Sequence, residues 1–202
     1  TLRRHRARLI MRDIQGQTVA SELEALRPAP KRWPDGARSC VLLTHDVETS
    51  SGLDGIEPLR RLERDHGLAS TWNFVLGKYD GYKETVRELQ REGCECGAHG
   101  LYHDGKLFND PDQFYIRMQR IQGLARELGM RGFRAPALHR DKEMFSTIDF
   151  DWDSSYPAWD PFQPQPGGCR SYLPFWLSER TLELPVTLWQ DFTLFRELGL
   201  NS

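Results

Sequence analysis

The stretch CVLLTHDVE, residues 40–48, decides how the chain is read, because an apolar run passes directly into a cluster of titratable groups. Val41, Leu42 and Leu43 form the short apolar run of a strand buried on both faces. His45, Asp46 and Glu48 follow at once. The same order recurs downstream. Residues 70–75 predict a second strand and residues 94–98 a third, with His99 and His103 just past its end. Helical patterns fill the gaps. Gly52 and Gly55 break the chain, and Ile56, Leu59, Leu62 and His66 then keep helical spacing up to Gly67. Residues 84–92 predict another helix, closed by Gly93. Strand and helix in regular alternation argue for an α/β fold with a mainly parallel sheet. The polar residues that follow the strands then gather at one edge, where active sites of α/β sheets and barrels collect.

Further along, Pro111 opens a long helical pattern through Phe114, Ile116, Met118, Ile121 and Leu124 that stops near Gly129. Phe133 and Arg134 read as a short strand, residues 142–148 as a brief helix and residues 150–153 as a strand. Pro157, Pro161, Pro164 and Pro166 with the Gly167–Gly168 pair predict a long loop, and residues 182–186 offer a last strand. Upstream, Arg3, Arg4, Arg6, Arg8 and Arg12 crowd a basic beginning. Residues 18–26 have helical spacing, which Pro28, Pro30 and Pro34 end. The chain divides into a lead-in and linker over residues 1–39 and one domain over residues 40–202.

Two clusters carry the chemistry. In HGLYH, residues 99–103, the histidines stand four apart and share a side if the segment turns as a helix. Neutral imidazoles suit zinc, cobalt, nickel or iron, and two of them with a carboxylate make a common catalytic metal set. In THDVE, residues 44–48, Asp46 and Glu48 are two apart and point to one face of an extended segment. Two close carboxylates repel unless a cation intervenes, so one can bind the cation while the other stays free as a base. Asp104 follows the histidine pair, where it can orient an imidazole or simply make a turn. Arg134, in FRAPALHR, can hold a catalytic carboxylate through charge-assisted hydrogen bonds. Asp153, in DWDSS, is another acid at the end of an apolar segment.

THDVE, HGLYH, FRAPALHR, DWDSSYP and ELPVT, in this order, resemble the motifs of the polysaccharide deacetylases, the NodB homology group or carbohydrate esterase family four. The resemblance covers residues 40–200. It implies a distorted (β/α) barrel with fewer than eight strands and a metal hydrolase that removes acetyl groups from N-acetylated saccharides. It further implies Asp46 as catalytic base, His99 and His103 as metal ligands, Arg134 as the tether of the base, and Asp153 with Ser154 on the fourth motif. Two departures stand out. The family's adjacent second acid is Val47 here, so Glu48 is the expected third ligand, as in acid-x-acid members, and Asp46 and Glu48 can exchange roles. The family's late histidine, a general acid, has no counterpart after His139. The expectation is a barrel cut short at its C-terminus, with His139 as a substitute donor or no donor as the alternatives.

Hydrophobic residues at 39% and charged residues at 28% describe an ordinary globular chain. The net charge of -2 and the lack of basic-aromatic interleaving disfavour nucleic acid as a partner. No apolar run approaches the ~20 residues of a spanning helix. Cys40, Cys94, Cys96 and Cys169 are too few for a disulfide scaffold, and Cys94 and Cys96 read as inert strand residues. The expected location is cytoplasmic. Trp72, Tyr102, Tyr156, Trp159 and Trp176 suit either core packing or stacking under sugar rings. The competing readings are a metal amidase acting on a small non-sugar amide and a catalytically silent saccharide-binding module.

Overall fold

The strand begun by THDVE is the edge of the sheet. In the computed structural model, which describes residues 23, 27–29 and 33–200, β2 spans Leu43–Val47 and pairs in parallel with β3, Ser70–Phe74. Next come β4, Glu95–Ala98, β5, Gly132–Phe133, and β6, Trp152–Asp153, each parallel to its neighbour. β8, Leu182–Glu183, continues the parallel set beside β6. An antiparallel pair closes the far side, β7 at Phe175–Trp176 and β1 at Arg27–Pro28. The order is β1-β7-β8-β6-β5-β4-β3-β2, and the sheet does not close. The expected α/β barrel of fewer than eight strands corresponds to its six parallel strands.

Register sorts the side chains into two faces, because paired residues point to the same side. Val47, Phe74, Ala98, Phe133, Asp153 and Glu183 lie on one register line. This face is covered by helices. The Cys96 thiol, on the same face, meets the Val86 carbonyl of the helix Tyr82–Arg91, and Phe133 meets Phe145 of the helix Lys142–Phe145. The other line runs Asp46, Asn73, Gly97, Gly132 and Trp152. Here glycine is required: a Cβ at Gly132 would overlap the Trp152 ring, and one at Gly97 would press on both that ring and Asn73.

Several expectations shift. Val41 and Leu42 are exposed, 80% and 56%, and lie before β2 rather than inside a strand buried on both faces. β2 has a neighbour on one side only, so nothing among the described residues covers them. The helix Ile56–Asp65 forms as its spacing predicts, yet Leu62 is 56% exposed while Arg60 and Glu63 are buried. An ion pair explains this inversion. Glu63 accepts from Arg60 and Ser70 and bonds His45, tying β2 to the helix. The long helix is Pro111–Glu127, capped by Asp110, whose side chain accepts from the Gln113 N–H. β7 and β1 lie in segments where the sequence predicted a loop and a linker. The basic beginning and the helix expected over residues 18–26 fall outside the described residues, except Leu23, which joins the core. Cys94 and Cys96 are buried free thiols, and burial pushes the Cys96 thiol up to about 12.

Candidate metal centre

β2 delivers Asp46 near its end and releases the chain so that Glu48 reaches over the sheet edge. Thr49 then caps the helix Ser50–Asp54 by accepting from the Gly52 N–H. The opposing segment leaves β4 with His99, whose N–H donates to the Phe74 carbonyl at 2.7 Å. It does not turn as a helix. Gly100 and His103 both take left-handed conformations, φ 77° and 49°, and this tight reversal is what places the two imidazoles 5.2 Å apart. The loop is pinned by Leu76 and Gly77, whose N–H groups donate to the Gly100 and Leu101 carbonyls. A non-glycine residue with positive φ carries a strain that its surroundings must offset.

Glu48, His99 and His103 each offer one ligand atom, all within 4.8 Å of one another. Glu48 Oε1 lies 3.0 Å from His103 Nε2 and 3.9 Å from His99 Nε2. Those edges bracket the roughly 3.4 Å between ligands on a tetrahedral zinc. His99 Nδ1 faces the Arg134 carbonyl at 2.9 Å, which fixes Nδ1 as the protonated nitrogen and leaves the Nε2 lone pair facing the acids. The donor set therefore fits a divalent cation. The His103 imidazole at 3.0 Å, with the His99 ring close by, holds the Glu48 carboxyl far below the usual carboxylate range, and Glu48 in turn raises His103.

Asp46 sits beside this group, its Oδ2 3.8 Å from His99 Nε2. Its other oxygen is held from behind. Asn73 Nδ2 donates to Oδ1 at 2.9 Å and Arg134 Nη1 approaches it at 3.4 Å. Burial pushes this carboxyl up, but His99, Arg134 and Asn73 outweigh it and keep Asp46 ionised. Arg134 is itself clamped. Its Nε and Nη2 donate to the Ser154 carbonyl and Oγ, and Nη1 donates to Thr44 Oγ1 at 2.7 Å.

Of the residues singled out by sequence, Asp46, Glu48, His99, His103 and Arg134 come together. Asp153 does not join them, since its register line is on the helix-covered face. Asp104 turns away to accept a bidentate contact from Arg117 and orients neither histidine. His139 shares a narrow cleft with His103, Tyr102, Phe108 and Pro136. Asn73 was missed, and its signal was present: an amide in the otherwise apolar run WNFVL, at the register position of Asp46. Among the aromatics, Trp72 and Tyr156 are core residues, while Tyr102 is exposed.

No protein-family model and no curated protein sequence matches the chain. Among solved structures it is similar to a protein of Mycobacterium smegmatis assigned as a polysaccharide deacetylase, at 21% identity and a TM-score of 0.56 over 81% of this chain and 64% of that one. It is also similar to an allantoinase, at 18% identity and a TM-score of 0.50 over 72% of this chain and 47% of that one. The likeness is one of fold, that of the NodB-like deacetylases, and the chain spans less than two thirds of either structure.

Proposed function

We propose that the protein is a metal-dependent hydrolase that removes acetyl groups from an N-acetylated saccharide. The observation that carries this reading is the Glu48–His99–His103 triangle with an ionised carboxylate, Asp46, directed at its edge. Glu48, His99 and His103 would hold the cation, with zinc as the first candidate. A bound divalent cation supplies acidified water, with a pKa lowered from ~15.7 towards ~7, and a polarised acetyl carbonyl. The protein's own groups do the rest. Asn73 and Arg134 occupy Asp46 Oδ1, so Oδ2 is the atom that takes the proton from the attacking water. The same oxygen can return that proton to the leaving amine. The fold shared with a polysaccharide deacetylase supports the substrate class. Hydrolysis of a small non-sugar amide is the second reading, supported by the narrowness of the cleft beside His103 and the allantoinase fold. Acetate release from N-acetylglucosamine oligomers by zinc-loaded protein is the test. Release that disappears on chelation supports the reading, and metal-loaded protein that frees no acetate overturns it.

A further inference from the structure

Asp153 and Glu183 are register partners on β6 and β8, both fully buried, with their side chains in hydrogen-bonding contact. Among the described residues, every donor that reaches them is neutral. Asp153 accepts from the Ser155 N–H and hydroxyl, at 3.0 and 2.8 Å, and Glu183 Oε1 accepts from the Tyr156 N–H at 3.1 Å. Among the described residues, no donor reaches Glu183 Oε2. Two touching carboxylates in a dry site cannot both ionise without a cation, and a proton on Oε2 resolves both the repulsion and the orphaned oxygen.

The pair also lies behind the tether of Asp46. Ser155 Oγ, fixed by Asp153, accepts the Ala135 N–H at 2.8 Å, directly beside Arg134. Ser154 donates its hydroxyl to the Leu184 carbonyl, next to Glu183, while receiving Arg134 at two atoms. We propose that Asp153 and Glu183 hold one proton between them and act as positioning residues for Arg134. Burial, then the Asp153 charge, raise Glu183 well above its usual range, and burial raises Asp153 as well. The other groups that face the pair are Arg134, whose charge draws Asp153 down, and the Cys169 thiol. Glutamine at position 183 should replace protonated glutamate, since its amide donates where Oε2–H does.

The positioning role gains catalytic meaning only through the reading of Asp46 as the base, so the test uses no activity. Infrared spectra at neutral pH should show a protonated-carboxyl band in the wild type that disappears in Glu183→Gln. Nitrogen-15 NMR should show an exchange-protected Arg134 Nε–H in the wild type and in Glu183→Gln, and its loss in Glu183→Leu. A wild-type spectrum without the band, or a band that persists in Glu183→Gln, overturns the shared proton. Retention of the protected Nε–H in Glu183→Leu overturns the positioning role, and its loss in Glu183→Gln overturns the equivalence of the amide and the protonated acid. Should Glu183→Leu fail to fold, the wild type and Glu183→Gln decide alone. A wild type that passes both measurements but frees no acetate removes the proposed function and leaves the acid pair standing.

Discussion

Two pairs of acids lie on opposite faces of one sheet and do different work. Asp46 and Glu48 lie at the open end of β2, with two imidazoles and a guanidinium around them. Asp153 and Glu183 lie under the helix-covered face, where the donors among the described residues are neutral. The residue types match, and the surroundings set the charge. Where positive partners reach the oxygens, both carboxyls are pulled down and remain anions ready for a cation. Where burial and a second acid outweigh the neutral donors and the pull of Arg134, both are pushed up, and a proton serves as the cheapest counter-charge.

The sharpest way to break the comparison is to remove the imidazoles. His99→Ala or His103→Ala should abolish stoichiometric metal by elemental analysis and lower acetate release by about 10³-fold; retention of full metal content would remove the assigned centre. Asp46→Asn should keep the metal and lower kcat by about 10²–10⁴-fold. Loss of metal instead would mean that Asp46 is the ligand and Glu48 the base.

The two pairs should also tilt the pH dependence of stability in opposite directions. Glu183 keeps its proton in the folded protein while the unfolded carboxyl ionises above ~4.3. Its stabilisation is therefore complete at low pH and lost as pH rises towards the folded value, at up to about 1.4 kcal/mol per unit. Urea denaturation of Glu183→Gln should show that slope removed, with the variant gaining on the wild type as pH rises. Asp46 and Glu48 have lowered values, so in metal-free protein their contribution is present above the usual carboxylate range and lost as pH falls through the folded values. The smallest expected effect is at Asn73. Asn73→Ala removes one hydrogen bond to Asp46 and should cost about 1 to 2 kcal/mol, read as a roughly tenfold fall in kcat with KM unchanged; a fall in KM-limited binding alone would assign Asn73 elsewhere.

The cluster of Asp46, Glu48, His99 and His103 was legible because its residues follow strand ends, and strand ends are marked by abrupt changes from apolar to titratable residues. What the sequence hid depended on faces and edges. Asp153 ends an apolar segment just as Asp46 does, but a two-residue strand gives no alternation from which to tell its side. Val41 and Leu42 read as a core strand because an edge and a centre have the same composition until the neighbours are known. β1 and β7, two residues each, carry too little pattern to stand out from a proline-rich loop. The histidine pair was found with the wrong local geometry: spacing of four suits a helix, whereas two left-handed residues do the same task here.

Gly97, Gly132 and Trp152 have a consequence for how sequences with this fold can diverge. The indole occupies the space that side chains at both glycines would need. The three positions therefore form one unit of inheritance. A lineage that gains a methyl at position 132 must first lose the indole, and one that trades Trp152 for a small residue frees Gly132 but leaves Gly97 held by Asn73 Oδ1. Substitutions tolerated one at a time elsewhere in the sheet should be found here only in combination.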